Sequence, residues 1–592
     1  MNKLIKIYFL LTFMFLCVAV NAQKKRTSKA KKQTTANKKS KAKSSSKKKA
    51  VKEDRGGNDN QPPAEALKLS KDTTTPNVVT ITSAFKPFLR TAAKINFTAS
   101  APELDTNRFQ LNYNIPAQNL FFSYQPVPIK PLALTADSAF EWQNHQYVKV
   151  GFGNFTTPYF ETGLAFGHPS NAVFTINGKF VTSKGSLDFQ EFTKANLNVN
   201  TIVSSIANHE LTAGISYSLA NQYRYGVKPN IAFIKDQLQQ NYNTIEANVA
   251  LHTKTDNSFG ISYHPQLKAT LFSDNQQGKE TDIVAKIPFA KTISTSLKLN
   301  VEVGADIASY SSPQVTEKIS NNIFSVSPNA LYSTNDLRLK IGLLPTWNNQ
   351  EFKLLPNLTG EYNLANNKLI ALAGITGNFQ KNSYESLTTI NPFISQPTTL
   401  LNTQINEVYG GVKGVIGKHF TFSSQLSFLK YVNQVLFVNN EIDSKSQDFD
   451  VIYEPNLKAF KIAGEVGYTS QEKLSLLASI KYTQFTAQES FAKAYGIIPL
   501  EINGAVRYKL GKDFFIKGDL FFWDGAYYRV QTIQSKKSSA AFDLNLGAEC
   551  KVLNKLNAYI DFNNLFNNQY QRWNQYNVFG FNVVGGVVYS FH

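Results

Sequence analysis

The sequence predicts an all-β protein, a large antiparallel transmembrane β-barrel of about 20–22 strands. A signal peptide, a disordered basic tail and a short irregular segment precede it. Three observations lead there: an apolar leader, long runs of period-two alternation after residue 145, and an aromatic-rich closing strand.

The leader is residues 1–22, MNKLIKIYFLLTFMFLCVAVNA. Lys3 and Lys6 stand ahead of an apolar stretch from Ile7 to Val20, and Val20-Asn21-Ala22 supplies small residues at the cleavage positions. So short a stretch cannot span a bilayer and suits the core of a secretory signal. The mature chain is therefore expected outside the cytoplasm.

Residues 23–75 form the basic tail. Between Lys24 and Arg55 fifteen Lys and Arg face only Glu53 and Asp54, so most of the formal net charge of +20 belongs here. A tail with almost nothing apolar cannot offset the entropy of ordering and is expected to be disordered. Lysine runs of this kind suggest nucleic acid, but an exported protein meets no chromosome, so no nucleic-acid partner is expected. The remaining reading is a periplasmic tether, drawn to anionic cell-wall polymers or lipid headgroups.

Residues 76–144 are broken by Pro102, Pro116, Pro126, Pro128 and Pro131. Proline removes a ladder donor and fixes an extended φ, so this segment reads as irregular.

From residue 145 to 592 the pattern alternates. In LKLNVEVGADI, Leu297, Leu299, Val301, Val303, Ala305 and Ile307 alternate with Lys298, Asn300, Glu302, Gly304 and Asp306. In FDLNLGAECKV, Phe542, Leu544, Leu546, Ala548, Cys550 and Val552 alternate with polar or small residues, and LNVNTIV at 197–203 does the same. Side chains alternate across a strand, so each run has one apolar and one polar face. A soluble sandwich would turn the apolar face inward, whereas an outer-membrane barrel turns it to lipid around a wet lumen. Runs of ten or more residues favour the barrel, since soluble strands usually have five or six. Aromatic content of 13% suits girdles at two interfaces.

The closing run, VFGFNVVGGVVYSFH, places Phe579, Phe581, Val583, Gly585, Val587, Tyr589 and Phe591 in one register. Such a strand is the address read by the outer-membrane barrel-insertion machinery, with Phe579, Phe581, Val583, Val587, Tyr589 and Phe591 as its signal residues; Phe591 is penultimate rather than final. Upstream, LNAYIDFNNLFNNQYQRW carries Asn564, Leu565, Phe566, Asn567 and Tyr570. These resemble the "NLFN…Y" turn of the TonB-dependent receptor barrel, and FDLNLGAECKV is similar to that family's penultimate region.

The resemblance implies a 22-strand barrel in a Gram-negative outer membrane, its lipid bilayer the first partner. It implies uptake of a nutrient or other solute, with an energy-coupling protein as a partner. It fails at the N-terminal side, where 76–144 looks like a truncated plug, with Val78, Val79, Thr80 and Ile81 as a candidate strand for the coupling partner. Segment 75–143 and inward loops are expected to fill a lumen that would otherwise leak. Absence of a complete plug keeps a second function open: a scaffold or accessory subunit of an outer-membrane complex, tethered by its tail.

No catalytic chemistry is expected. The histidines, at 145, 168, 209, 252, 264, 419 and 592, lie in no metal-spacing motif. GFGNFT at 151–156 lacks the third glycine and the helix of a phosphate loop. No metal, cofactor or ligand-binding residue is assigned.

Overall fold

The computed structural model describes residues 146–591 apart from 227–233, 366–367, 440–447, 471–472 and 531–533. The leader, the tail and the plug-like segment with Val78, Val79, Thr80 and Ile81 lie outside the described residues. Among the described residues no helix is long and apolar enough to cross a membrane.

The chain runs up and down as one antiparallel sheet of 23 strands, from Tyr147–Gly153 to Asn582–Ser590. Ile261–Tyr263 and Gln266–Asp274 are halves of one stave, broken at His264-Pro265 and both paired to Lys279–Thr292. Proline cannot donate to the ladder, which accounts for the break. The barrel thus has 22 staves. It closes because the first strand pairs with the last, Tyr147 opposite Ser590 through Gly153 opposite Val584. Asn154 fastens that seam, donating to the Phe581 carbonyl at 3.0 Å and accepting from the Val583 N–H at 2.9 Å.

The alternation seen in the sequence becomes the two faces of the wall. Leu299, Val301, Val303 and Ile307 are exposed, as are Leu197, Ile215, Ile341 and Val466 on other staves. A dissolved protein does not carry an apolar belt of this extent, whereas a barrel in lipid requires one. The opposite face carries ion pairs: Lys461–Glu407 at 2.9 Å, Lys413–Glu361 at 2.7 Å, Arg507–Asp519 at 2.8 Å and Lys517–Asp561 at 2.8 Å. On the same face, Asn300 donates to Asn329 at 2.9 Å. The hydrophobic sides therefore point outward around a polar lumen.

Beside the seam the lumen is less polar. Val584 and Val588 of the last strand pack with Tyr559, Tyr147 and Tyr159. Gly151 is required here: a Cβ on it would lie 2.1 Å from Tyr559 Oη. This is the role of the first glycine of GFGNFT.

FDLNLGAECKV falls within Ala541–Leu553, the third stave from the end; the penultimate one is Leu556–Asn563.

Candidate functional site

One end of the barrel has short turns, such as 334–336, 417–419 and 554–555, while the other carries the long connections 381–402, 524–540 and 564–581. At that long-loop end side chains from the 381–402 and 564–581 connections, with Tyr225, and the tips of several staves pack into a cap. Its centre holds Tyr384, Leu387, Phe393, Ile394, Trp573 and Tyr576, with Tyr242, Phe272, Tyr310, Phe437 and Phe449 from the staves. Phe393 and Tyr576 stack with centroids 3.6 Å apart, joining the 381–402 and 564–581 connections. Leu387 and Ile394 are wholly buried.

The 381–402 connection reaches across to the staves around residues 222–242. Gln222 and Tyr242 donate to the Pro392 carbonyl at 2.9 and 3.0 Å. Its fold is set by a short helix, Tyr384–Ile390, begun by a capping box in which Ser383 accepts from the Ser386 N–H. The first turn is also received by a stave. Glu280 accepts the Tyr384 N–H at 2.6 Å and the Glu385 N–H at 3.2 Å. A carboxylate there satisfies helix donors that have no partner in the helix and complements its dipole. Asp274 holds the same connection from another stave, accepting from Tyr384 Oη at 2.7 Å and Gln396 Nε2 at 2.8 Å. Asn321 and Asn402 exchange amide hydrogen bonds of 3.0 and 2.6 Å at the connection's other root.

A second buried carboxylate repeats the device. Glu454 accepts the N–H groups of Glu489, Ser490 and Phe491, each at 2.9 Å, and so pins the start of the 489–499 connection. Hydrogen bonds to a charged acceptor are roughly twice as strong as neutral ones, so three donors on one buried carboxylate hold the loop start in place. Burial holds the Tyr384 and Tyr576 phenols well above their ordinary range, so both remain donors. Burial also pushes the Arg572 guanidinium down to about 9, opposed by Glu501; the group lies 4.0 Å over the Trp573 ring. Chemically the cap is a closure wired by charge–dipole contacts.

The predicted motif residues come together at the base of the 564–581 connection. Asn564 and Asn567 have positive φ, 45° and 55°, a conformation asparagine tolerates better than most residues. Asn564 Nδ2 donates to the Asn568 carbonyl at 2.8 Å and the Phe579 carbonyl at 3.0 Å, while its Oδ1 accepts the Asn568 N–H at 2.9 Å. Asn567 Oδ1 accepts the Phe581 N–H at 2.7 Å. Tyr570 donates to Asp543 at 2.8 Å and packs edge-on to Trp523. Leu565 joins the patch formed by Ala548, Ile560 and Phe562, and Phe566 pairs with Phe542 on the outer side. The motif is a turn that ties the last long connection to the closing strand.

Of the closing-strand residues, Val587, Tyr589 and Phe591 are exposed on the outer face, with Phe581 and Val583 beside Phe562. Phe579 departs from that row. It precedes the strand and packs against Phe155 and Phe192, centroids 6.1 and 5.4 Å away. The regular strand begins only at Asn582, so its alternation does not reach back to Phe579.

Two histidines that spacing did not connect are brought together. His252 and His264 lie Nδ1 to Nδ1 at 2.9 Å, His264 in the break of the neighbouring stave. Among the described residues no group of three or more His, Cys, Asp or Glu could hold a metal.

No protein-family model matches the sequence, and no curated protein matches it. Solved structures do. The chain is similar to the FrpB iron transporter from Neisseria meningitidis, with TM-score 0.60 and 11% identity over 76% of this chain and 82% of that one. It is similar to the pyoverdine outer membrane receptor FpvA from Pseudomonas aeruginosa, with TM-score 0.58, 12% identity and coverage of 76% and 79%. The siderophore receptor PirA from Acinetobacter baumannii gives TM-score 0.60, 9% identity and coverage of 76% and 81%. Identities this low speak for fold alone. The chain therefore has the fold of the TonB-dependent outer-membrane receptor barrel, the same fold that its closing motif resembles.

Proposed function

We propose that the protein is an outer-membrane uptake receptor that admits a solute through a mouth closed at rest. The observation that carries this reading is the capped polar lumen. A wall lined by ion pairs suits a hydrated solute, and the wired cap keeps the mouth shut until something displaces it. The long connections face the cell surface and the short turns face the periplasm, as is usual for such barrels. The basic tail then lies in the periplasm, where it tethers the chain to anionic cell-wall material. Segment 76–144 acts as the inner obstruction, and Val78–Ile81 is the strand offered to an energy-coupling protein. The closing strand, Phe581 to Phe591, is the signal for the insertion machinery. The solute class to try first is a chelated iron, because the similar structures are described as iron or siderophore receptors.

Uptake of a labelled ferric chelate by cells carrying the protein is the test, with and without the coupling protein. Coupling-dependent uptake supports the reading. If no solute enters while partner proteins copurify in mild detergent, the scaffold reading replaces it.

A further inference from the structure

We propose that Lys430 and Lys458 form a docking site for the phosphate of a glycolipid in the outer leaflet. The inference rests on the orientation proposed above, long connections outward.

Lys430 and Lys458 are direct partners on the adjacent staves Phe420–Asn439 and Phe449–Ser470. Both are exposed. They share the lipid-facing register of Leu426, Phe428 and Val466, whereas Ser427, Leu429 and Ala459 of the other face are buried. Like charges directly opposite one another on a sheet repel. Among the described residues neither lysine makes an ion pair. Of the acids near them, Glu407 faces the lumen and pairs with Lys461, and Glu489, just past the end of its stave, accepts from Asn456.

Their height is the second observation. Immediately below them Phe428 and Phe460 are paired, ring centroids 5.2 Å apart, and Phe428 is 65% exposed. From Phe420 at the short-turn end to Lys430 the stave advances ten residues. At about 3.4 Å per residue and a tilt of about 40° that is roughly 26 Å of height, close to the apolar band of a membrane barrel. The two ammonium groups therefore stand at the headgroup level, above an aromatic girdle. Around them lie amides: Asn406 is directly opposite Lys430, and Gln404 and Asn456 are in the next row. Two ammonium groups suit one phosphate, and flanking amides suit sugar hydroxyls. That combination describes a phosphorylated glycolipid better than a simple phospholipid.

The test uses the full barrel in detergent, as wild type, K430Q/K458Q and the charge-keeping K430R/K458R. Binding of bisphosphorylated lipid A, dephosphorylated lipid A, phosphatidylglycerol and inorganic phosphate is read by native mass spectrometry. Heat-modifiable migration confirms that each variant is folded. Wild type and the arginine variant should hold lipid A, and the glutamine variant should bind about thirtyfold more weakly, a loss of about fivefold per lysine. Equal binding by all three variants overturns the site. Equal binding of dephosphorylated lipid A, or preference for phosphatidylglycerol or free phosphate, overturns the glycolipid assignment. Orientation is read separately by labelling Ser312→Cys in intact cells with an impermeant maleimide. Absence of labelling with lysine-dependent phosphatidylglycerol binding would place the fault in the orientation.

Discussion

Replacing Glu280 by glutamine should loosen the cap without weakening the barrel. The carboxylate receives two N–H groups from the first turn of helix Tyr384–Ile390, at 2.6 and 3.2 Å. Hydrogen bonds to a charged group are worth about 1.5–3 kcal/mol each. The amide keeps one acceptor, but its NH2 group now faces a donor, so one such bond is lost outright. About 2 kcal/mol of local stability should disappear, which is roughly a thirtyfold rise in the open population. Hydrogen exchange in nanodiscs reads this directly: Tyr384 and Glu385 amides should exchange about thirtyfold faster, while stave amides such as those of Leu299 to Ile307 stay protected. Single-channel recording should show more frequent openings. Unchanged protection of residues 384–390 would refute the claim that a stave carboxylate holds the cap closed.

Other consequences can be checked with the same preparations. Asn564→Ala should cost about 2–3 kcal/mol at the 564–581 connection, since it removes three hydrogen bonds and strains a positive φ, seen as faster proteolysis there. Gly151→Ala should destabilise the seam by about 1–3 kcal/mol, lowering the temperature of heat-modifiable migration, with partial rescue by Tyr559→Phe. Burial, with Glu246 nearby and against the pull of Lys268, raises the Glu385 carboxyl. Its folded value then exceeds the unfolded one, so the contribution to cap stability is full below the unfolded value and lost as pH rises through the folded one. Protection at 384–390, measured against the intrinsic exchange rate at each pH, should rise on acidification, and Glu385→Gln should remove that part of the pH dependence. Deleting 75–143 should enlarge single-channel conductance, and an unchanged, already large conductance would deny that segment an obstructing role. Removing 24–55 should leave insertion intact but weaken retention by cell-wall material in a pull-down.

The wall of the barrel was legible because a period-two pattern reports a face at every second residue. Leu299, Val301 and Val303 needed no partner to be identified as outward, only their alternation with Asn300 and Glu302. The turn at Asn564–Asn567 was legible as a resemblance, and its geometry follows from asparagine tolerating positive φ. The cap was not legible. Glu280 and Tyr384 are separated by 104 positions, and the pairing depends on the curvature of the whole sheet. The 381–402 connection has no periodicity, so nothing local announces that Leu387 and Ile394 are buried. Phe579 shows the opposite failure: its period-two spacing continues that of the closing strand, but the strand begins only at Asn582.

The seam fastened by Asn154 joins atoms 429 positions apart, and the earliest stave has no second neighbour until the latest one arrives. Until then both margins of the growing ribbon keep raw amides that would template stray pairing. Completion must therefore await the stave Asn582–Ser590, and a product lacking it would remain an open ribbon that chaperones and proteases can seize.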